Sequence, residues 1–379
     1  MDFNLIATAT FGLEALVAKE LKALGYEDLT TENGRVKFSG DEMDVAITNT
    51  WLRVADRVLI NMGEFEATSF EELYQGVLKL PWGDLMPPDA FMHVNGKSVK
   101  SKLYSVPDCQ SITKKAIVEA MSRTYPNQTF REDGPTYKIE VAILKDHVTM
   151  TIDTSGAGLH KRGYRKDSGA APLKETLAAA LVQLSGWKGE KPLFDPFCGS
   201  GTILIEAAMM ARKIAPGLNR TFTCETWPNF IEENPFELVR AGARAGVDRE
   251  KELVITGFDI NSWVLNTAKA NAKKAGVFNY IFFKERDARN FIESQDPAII
   301  ITNPPYGERL DEEKIAQDLS AVLGRIRRNY PAMDLNVFTS LNRFETYFGE
   351  KPDKNRKLYN GRLLCYLYQY FGEKDTPGK

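Results

Sequence analysis

The sequence predicts an α/β chain in two parts: a carboxyl-terminal, Rossmann-like open sheet that ends in an antiparallel hairpin, and an amino-terminal α+β half. Three observations carry this. Lys191-PLFDPFCGSGTILIEAAMMA runs from an apolar strand through a glycine turn into a helix, the order that builds a cofactor crevice in an open α/β sheet. Further apolar strands downstream lead to Asp259, to Asp287 and to Asn303, and strand ends of this kind meet along one edge of such a sheet. Near the end, Asn360-Gly361 lies between two β-rich segments, a strong signal for a two-residue hairpin turn.

A chain of 379 residues exceeds the ~100 to 200 residues of one ordinary domain, so two or three packed units are expected. The 43% hydrophobic and 26% charged fractions exclude a largely disordered or collagen-like chain. No apolar run reaches the ~18 to 20 residues of a membrane span. The opening MDFNLIATATFGLEALVAKE places acids where a signal peptide carries positive charge, so a cytoplasmic location is expected. With Lys plus Arg at 49 and Asp plus Glu at 51, the net charge is -2. A nucleic-acid partner must therefore be held by a local basic surface. Cys109, Cys198, Cys224 and Cys365 are far apart, and only His93, His147 and His160 could supplement them; neither a metal site nor a disulfide framework is expected.

In the first half, short apolar strands are expected at Leu5 to Ala7, Val36 to Phe38, Val58 to Phe65, Ala90 to Val94, Tyr137 to Leu144 and His147 to Ile152. The last two read as a hairpin with Lys145-Asp146 at its tip. Leu13, Leu16, Val17, Leu21 and Leu24 fall on one face of a helix that stops at Gly25. A second helix, with Ile112, Ile117 and Met121, is expected from about Asp108 until Pro126 ends it. No glycine-rich phosphate loop interrupts the alternation, which predicts small α+β units serving as a binding module.

Charge is concentrated in two places. Between Asn95 and Tyr125, Lys97, Lys100, Lys102, Lys114, Lys115 and Arg123 face only Asp108 and Glu119, a local excess of four positive charges. Such a run is either an RNA-binding surface or an ordinary solvated helix face. From Gly158 to Lys166, GLHKRGYRK has four cations and no acid and reads as a basic connector. The segment from Ala171 onward is a strong helix former, with Pro172 in its first turn and Gly186 past its end. It opens the second half.

The turn Cys198-Gly-Ser-Gly201 lacks the third glycine of a dinucleotide fingerprint and the Lys of a Walker loop. By itself it is also compatible with an ordinary strand-to-helix loop. Asp259 ends an apolar strand, where a carboxylate can accept both hydroxyls of a ribose. Asp287 and Ala288 follow the next strand and suit an adenine edge. Taken singly, each acid could be a helix cap and the prolines a strand stop; together they mark one crevice. Asp259 lies much further from Asp195 than the ~20 residues usual in a dinucleotide fold, because residues 212–251 form an insertion, expected as a local elaboration at the sheet edge.

On Leu159-HKRGYR, Asp195-PFCGSGTILIEAA and Asn303-PPYGERL, the chain resembles the class I S-adenosylmethionine-dependent methyltransferases. Within them it is similar to the bacterial THUMP-containing guanine-N2 methyltransferases of large-subunit ribosomal RNA. The resemblance implies a ferredoxin-like unit at 1–60, a THUMP-like RNA-binding module at 61–155, a basic connector at 156–170 and a seven-stranded methyltransferase domain at 171–379. It implies S-adenosyl-L-methionine as cofactor, S-adenosyl-L-homocysteine as product and 23S rRNA as partner. Cys198, Gly199, Ser200 and Gly201 would cradle the methionine part, Asp259 the ribose, and Asp287 and Ala288 the adenine, with Asp195, Phe197, Ile260 and Asn303 as further cofactor contacts. Lys161, Arg162 and Arg165 of the connector join Lys97, Lys100, Lys102, Lys114 and Lys115 as implied RNA contacts.

Asn303-Pro-Pro-Tyr306 suits a conjugated amine, whose lone pair is delocalised into its ring. Carbonyls of Asn303 and Pro304 that accept its hydrogens would localise that lone pair and stabilise the charge developing in transfer. Tyr306 would offer a face for an extruded base. The same loop would also serve adenine N6, a glutamine side chain or a tRNA guanine, and a noncatalytic RNA-binding or assembly factor on the same scaffold is the alternative of another class.

Overall fold

The computed structural model describes residues 1–165, 173–293, 297–306 and 310–373. Lys166, Ala171, Pro172 and Gly307 to Arg309, all singled out above, lie outside the described residues. The chain divides into two units, one of Met1–Ala9, Val17–Leu159 and Arg220–Gly242, the other of Thr10–Leu16, His160–Asn219 and Ala243–Lys379. Among the described residues, no helix is long and apolar enough to cross a membrane.

In the first unit, β1 (Phe3–Thr8), β2 (Thr30–Glu32), β3 (Arg35–Gly40), β4 (Arg57–Glu66), β5 (Phe91–Val99), β6 (Thr136–Leu144) and β7 (His147–Asp153) form one sheet in the order β2-β3-β1-β4-β7-β6-β5. The expected separate α+β pieces thus share a sheet, because β4 pairs antiparallel with both β1 and β7. Only β5 and β6 run parallel. Their connection is the helix Val106–Thr124, which starts two residues before Asp108 with Pro107 in its first turn and buries Cys109, Thr113, Ala116, Ile117, Ala120 and Met121. Two helices not read from the sequence, Glu42–Trp51 and Phe70–Leu78, begin in capping boxes, Asp41 with Asp44 and Ser69 with Glu72. The Lys145-Asp146 turn is as expected, both residues having positive φ, 52° and 66°.

The 212–251 insertion is not an elaboration at the edge of the second sheet. Its residues 220–242 belong to the first unit. Trp227 is fully buried and stacks on Tyr137 with ring centroids 4.3 Å apart, and its indole N–H donates to the Thr136 carbonyl at 3.0 Å. The Arg220 guanidinium reaches the carbonyls of Ala157 at 2.5 Å and Gly158 at 2.7 Å. Burying an indole while satisfying its one donor fixes the segment here, and composition cannot reveal a partner so remote in sequence.

The second unit contains β8 (Leu193–Asp195), β9 (Ile255–Asp259), β10 (Ile281–Glu285), β11 (Ile299–Thr302), β12 (Asp334–Thr339), β13 (Lys354–Asn360) and β14 (Leu363–Tyr370), in the order β10-β9-β8-β11-β12-β14-β13. Strands β8 to β12 are parallel and β14 is antiparallel to β12, the class I methyltransferase arrangement. The closing hairpin turns one residue later than expected: Asn360 pairs with Leu363, and Gly361 and Arg362 form the turn. Phe194, Phe258, Ile300, Leu335, Val337 and Tyr370 are buried in the core on this sheet. The helix Glu175–Ser185 ends at Gly186, whose φ of 75° supplies the expected left-handed cap.

Trp227→Ala should lower the unfolding free energy by about 3–5 kcal/mol, the range for emptying a buried aromatic site. Chemical denaturation checks this. A change below about 0.5 kcal/mol, typical of surface substitutions, would show that the insertion is not packed as described.

Candidate active site

The site grows from the carboxyl ends of β8, β9 and β11. Asp195 at the end of β8 is fully buried, and its Oδ1 accepts from the Phe197 amide at 3.0 Å and the Thr302 hydroxyl at 2.6 Å. Burial pushes its pKa up to about 7. It therefore sets the start of the turn and the end of β11 from below, and its side chain is not among the groups that line the crevice. The Cys198 amide donates to the Phe258 carbonyl at 2.9 Å, and its thiol is buried, which raises its pKa.

Gly199 and Gly201 have φ of 52° and 80°, where other L-residues are strained. A Cβ on Gly201 would press on Ala268 and the Phe283 ring, so this glycine serves helix-to-sheet packing. A Cβ on Gly199 would meet nothing within 4 Å. That open space is what a ligand approaching the backbone requires.

The Gly199 amide donates to Asp259 Oδ2 at 3.0 Å, and the Asn261 amide to Oδ1 at 2.9 Å. Asp287 caps the next turn, its carboxylate accepting from the Arg289 amide and guanidinium, both at 2.9 Å. The amide bond is the main cause holding its pKa below the usual range. A cavity of about 590 Å³ opens between these groups, and Phe197, Gly199, Asp259, Ile260, Asp287, Ala288 and Asn303 line it. Cys198, Ser200 and Gly201 shape the turn without lining it. Sequence reading missed Arg286, which follows β10 directly, and Ile315 with Leu319, which stand one helical turn apart on Leu310–Asn329 and complete the wall.

Asn303, Pro304, Pro305 and Tyr306 close the opposite side. The Tyr306 hydroxyl donates to Asn303 Oδ1, and its ring packs edge-on against Phe338 at 6.4 Å. Burial raises the Tyr306 pKa. Tyr306 is thus half-buried, lines the cavity and props the Asn303 amide, its hydroxyl satisfied and its ring packed on Phe338. Asn303 lines the cavity, and its Oδ1 retains a second lone pair.

Comparison with known proteins agrees with this geometry. The profile of the RMKL-like methyltransferase domain matches residues 162–369, that of the RlmL ferredoxin-like domain 4–59, and that of the THUMP domain 67–153. The chain belongs to the RMKL-like methyltransferase family. YpsC of Bacillus subtilis, which carries the name of an RNA methyltransferase, is 43% identical over 98% of this chain and 96% of its own. A Listeria monocytogenes protein titled a predicted N6-adenine-specific DNA methylase is 48% identical, with a TM-score of 0.94 over 98% of this chain and 97% of its own. SMU.472, named as a methyltransferase and crystallised with S-adenosylhomocysteine, is 43% identical, with a TM-score of 0.93 over 98% of this chain and 99% of its own.

Among the described residues of the basic connector, Arg162 and Tyr164 are buried. Arg162 is buried with its Nε 3.5 Å from Glu206 Oε1, and the Tyr164 hydroxyl donates to that oxygen at 3.0 Å. Arg165 donates to the Leu173 carbonyl at 2.9 Å and the Ser200 hydroxyl at 3.4 Å, and pairs with Glu175 at 3.4 Å. These two arginines were expected on RNA; instead they tie the connector to the helices and glycine turn of the methyltransferase unit. A buried carboxylate demands such partners, since leaving it alone would carry the full cost of desolvation. Lys161 is exposed.

The lysines of the first unit are exposed or half-exposed, but the fold brings acids that the local count omitted. Lys97 pairs with Glu140 at 2.7 Å and Lys114 with Glu132 at 2.8 Å. Lys115 lies 5.7 Å from the Tyr74 ring centre. The positive excess is therefore smaller than the sequence count and centres on Lys100 and Lys102.

Arg162→Ala should destabilise the protein by about 3–5 kcal/mol, because it strands a buried carboxylate, whereas Lys161→Ala should change stability by less than about 0.5 kcal/mol. Denaturant titration of the two variants compares them directly. Equal, small effects would return Arg162 to the set of surface cations.

Proposed function

We propose that this methyltransferase moves a methyl group from S-adenosyl-L-methionine to the exocyclic N2 amine of a guanine in RNA, with 23S rRNA as the substrate. The observation that carries the reading is the placement of Asn303 in one cleft with Gly199 and Asp259. The THUMP match and the name carried by YpsC support RNA, and the complex of SMU.472 supports the cofactor. The donor's sulfonium supplies an activated methyl group, so the protein's task is to aim a lone pair along the carbon–sulfur bond. Asp259 receives the ribose hydroxyls while its backbone contacts hold the glycine turn open. Asp287 and Ala288 border the adenine side.

On the acceptor side, Asn303 Oδ1 and the Pro304 carbonyl each take one amine hydrogen. As the nitrogen–carbon bond forms and the carbon–sulfur bond breaks, these oxygens stabilise the positive charge on nitrogen. The extra amine proton then passes to solvent. Tyr306 positions the Asn303 amide by donating to the same oxygen. Lys97, Lys100, Lys102, Lys114, Lys115 and Lys161 are the phosphate contacts of this reading, which contribute through counterion release.

The Listeria relative's title favours a second reading, adenine N6 in DNA, which would use the same acceptors. Incubating the protein with labelled cofactor and, separately, unmodified 23S rRNA, tRNA and DNA, then identifying the methylated nucleoside, separates the readings. N2-methylguanosine from 23S rRNA alone is the expected product; N6-methyladenine would overturn the proposal.

Asp259→Ala should weaken cofactor binding by at least about 10²-fold, since hydrogen bonds to a carboxylate contribute about 1.5–3 kcal/mol each. Calorimetric titration with S-adenosylhomocysteine measures it, and unchanged affinity would remove Asp259 from the site. Asn303→Ala should retain cofactor and RNA binding yet slow single-turnover methyl transfer by about 10² to 10³, as loss of one preorganised polar group does elsewhere. A near-normal rate at saturating substrates would show that Asn303 only helps assemble the complex.

A further inference from the structure

The loop after β5 and the β6–β7 turn meet at a corner that carries one exposed aromatic ring and three lysines. Tyr104 is 85% exposed, and Val99 and Leu144, register partners at the ends of β5 and β6, are 50% and 57% exposed. Lys100, Lys102 and Lys145 are exposed in the same two loops. Lys97 and Lys114 have carboxylate partners, whereas none of these three is ion-paired among the described residues. The one acid of the two loops, Asp146, accepts from the Lys102 backbone amide at 2.7 Å.

Hydrogen bonds hold the corner in shape. The Lys145 amide donates to the Val99 carbonyl at 3.1 Å, and the Asp146 amide to the Ser101 hydroxyl at 3.1 Å. Lys100 and Lys145 both have φ of 52°, where glycine or asparagine is the less strained residue. Backbone geometry alone does not call for lysine at either place. An exposed aromatic face on the same two loops as three cations without ion-pair partners matches a ligand that has flat apolar surfaces between negative charges.

We infer that this corner binds a single-stranded stretch of RNA, with one base stacked on Tyr104 and the flanking phosphates held by Lys100, Lys102 and Lys145. The inference rests on the RNA reading above and adds where the strand is gripped and that it is unpaired there. A base face is open to a tyrosine only when the base has left its own stack. An acidic peptide would use the lysines and leave the ring without a role, which favours the nucleic acid.

The test uses the full-length protein and a fluorescent single-stranded oligouridylate about 10 nucleotides long, within the span of known single-strand sites. Tyr104→Ala should weaken binding by about 5- to 100-fold, while Tyr104→Phe, which keeps the stacking face, should stay within about twofold of wild type. Replacing all three lysines, by Lys100→Asn, Lys102→Gln and Lys145→Asn, should reduce the salt slope of binding by about 2, as loss of three single-strand phosphate contacts requires. Affinity for S-adenosylhomocysteine should be unchanged in every variant. If wild type binds the oligonucleotide and Tyr104→Ala binds it equally, the inference fails and the RNA reading stands. If wild type binds neither the oligonucleotide nor 23S rRNA, the RNA reading itself fails. Loss of polyglutamate binding in the triple lysine variant with RNA binding intact would identify an acidic protein surface instead and overturn the inference.

Discussion

The bond from the Gly199 amide to the Asp259 carboxylate, 3.0 Å long, holds the candidate site in register. It joins the turn after β8 to the end of β9, and these strands are parallel neighbours. A parallel pair places its carboxyl ends side by side, so one side chain can tie a loop that must stay open for a ligand. The Gly199 amide faces Asp259, and the residue has no Cβ to occupy the open space beside it. Asp195 secures the same region from beneath through Phe197 and Thr302, linking the β8 turn to β11 and hence to Asn303. Cofactor-side and acceptor-side groups are thereby referred to one buried frame.

Desolvation decides which of the connector's cations remain available to a partner. Arg162 and Arg165 are drawn inward because Glu206 and Glu175 are buried and need compensating charge. Arg165 also reaches Ser200 in the glycine turn, so a segment that reads as a nucleic-acid surface contributes to the architecture of the methyltransferase unit. Lys161, between them and His160, is exposed. The distinction follows from buried carboxylates outside the connector, and charge counting along the chain has no access to it.

The same logic refines the first unit. Glu132 and Glu140 take up Lys114 and Lys97, so the basic character shifts toward the β5 loop and the β6–β7 turn. Tyr306 gives the polar counterpart: its hydroxyl finds Asn303 and its ring finds Phe338, which turns a residue that reads as a surface platform into a support for an acceptor. In both places a side chain's role is set by the cheapest way of satisfying its polar atoms while burying its carbon.

Much of this protein is determined by local pattern. Alternating apolar residues over Tyr137 to Leu144, the Gly199–Gly201 turn, strands ending at Asp259 and Asn303, and a closing hairpin near Gly361 state the elements and their order, because period, turn chemistry and strand ends are short-range properties. The capping boxes at Asp41 and Ser69 are equally local. What only the tertiary structure decided are the matters that depend on partners distant in sequence: that β4 welds the first seven strands into one sheet, that Trp227 packs on Tyr137, that Arg162 faces Glu206 rather than a phosphate, and that Tyr306 turns inward. Burial and ion pairing are properties of neighbours in space, and the fold alone assigns those neighbours.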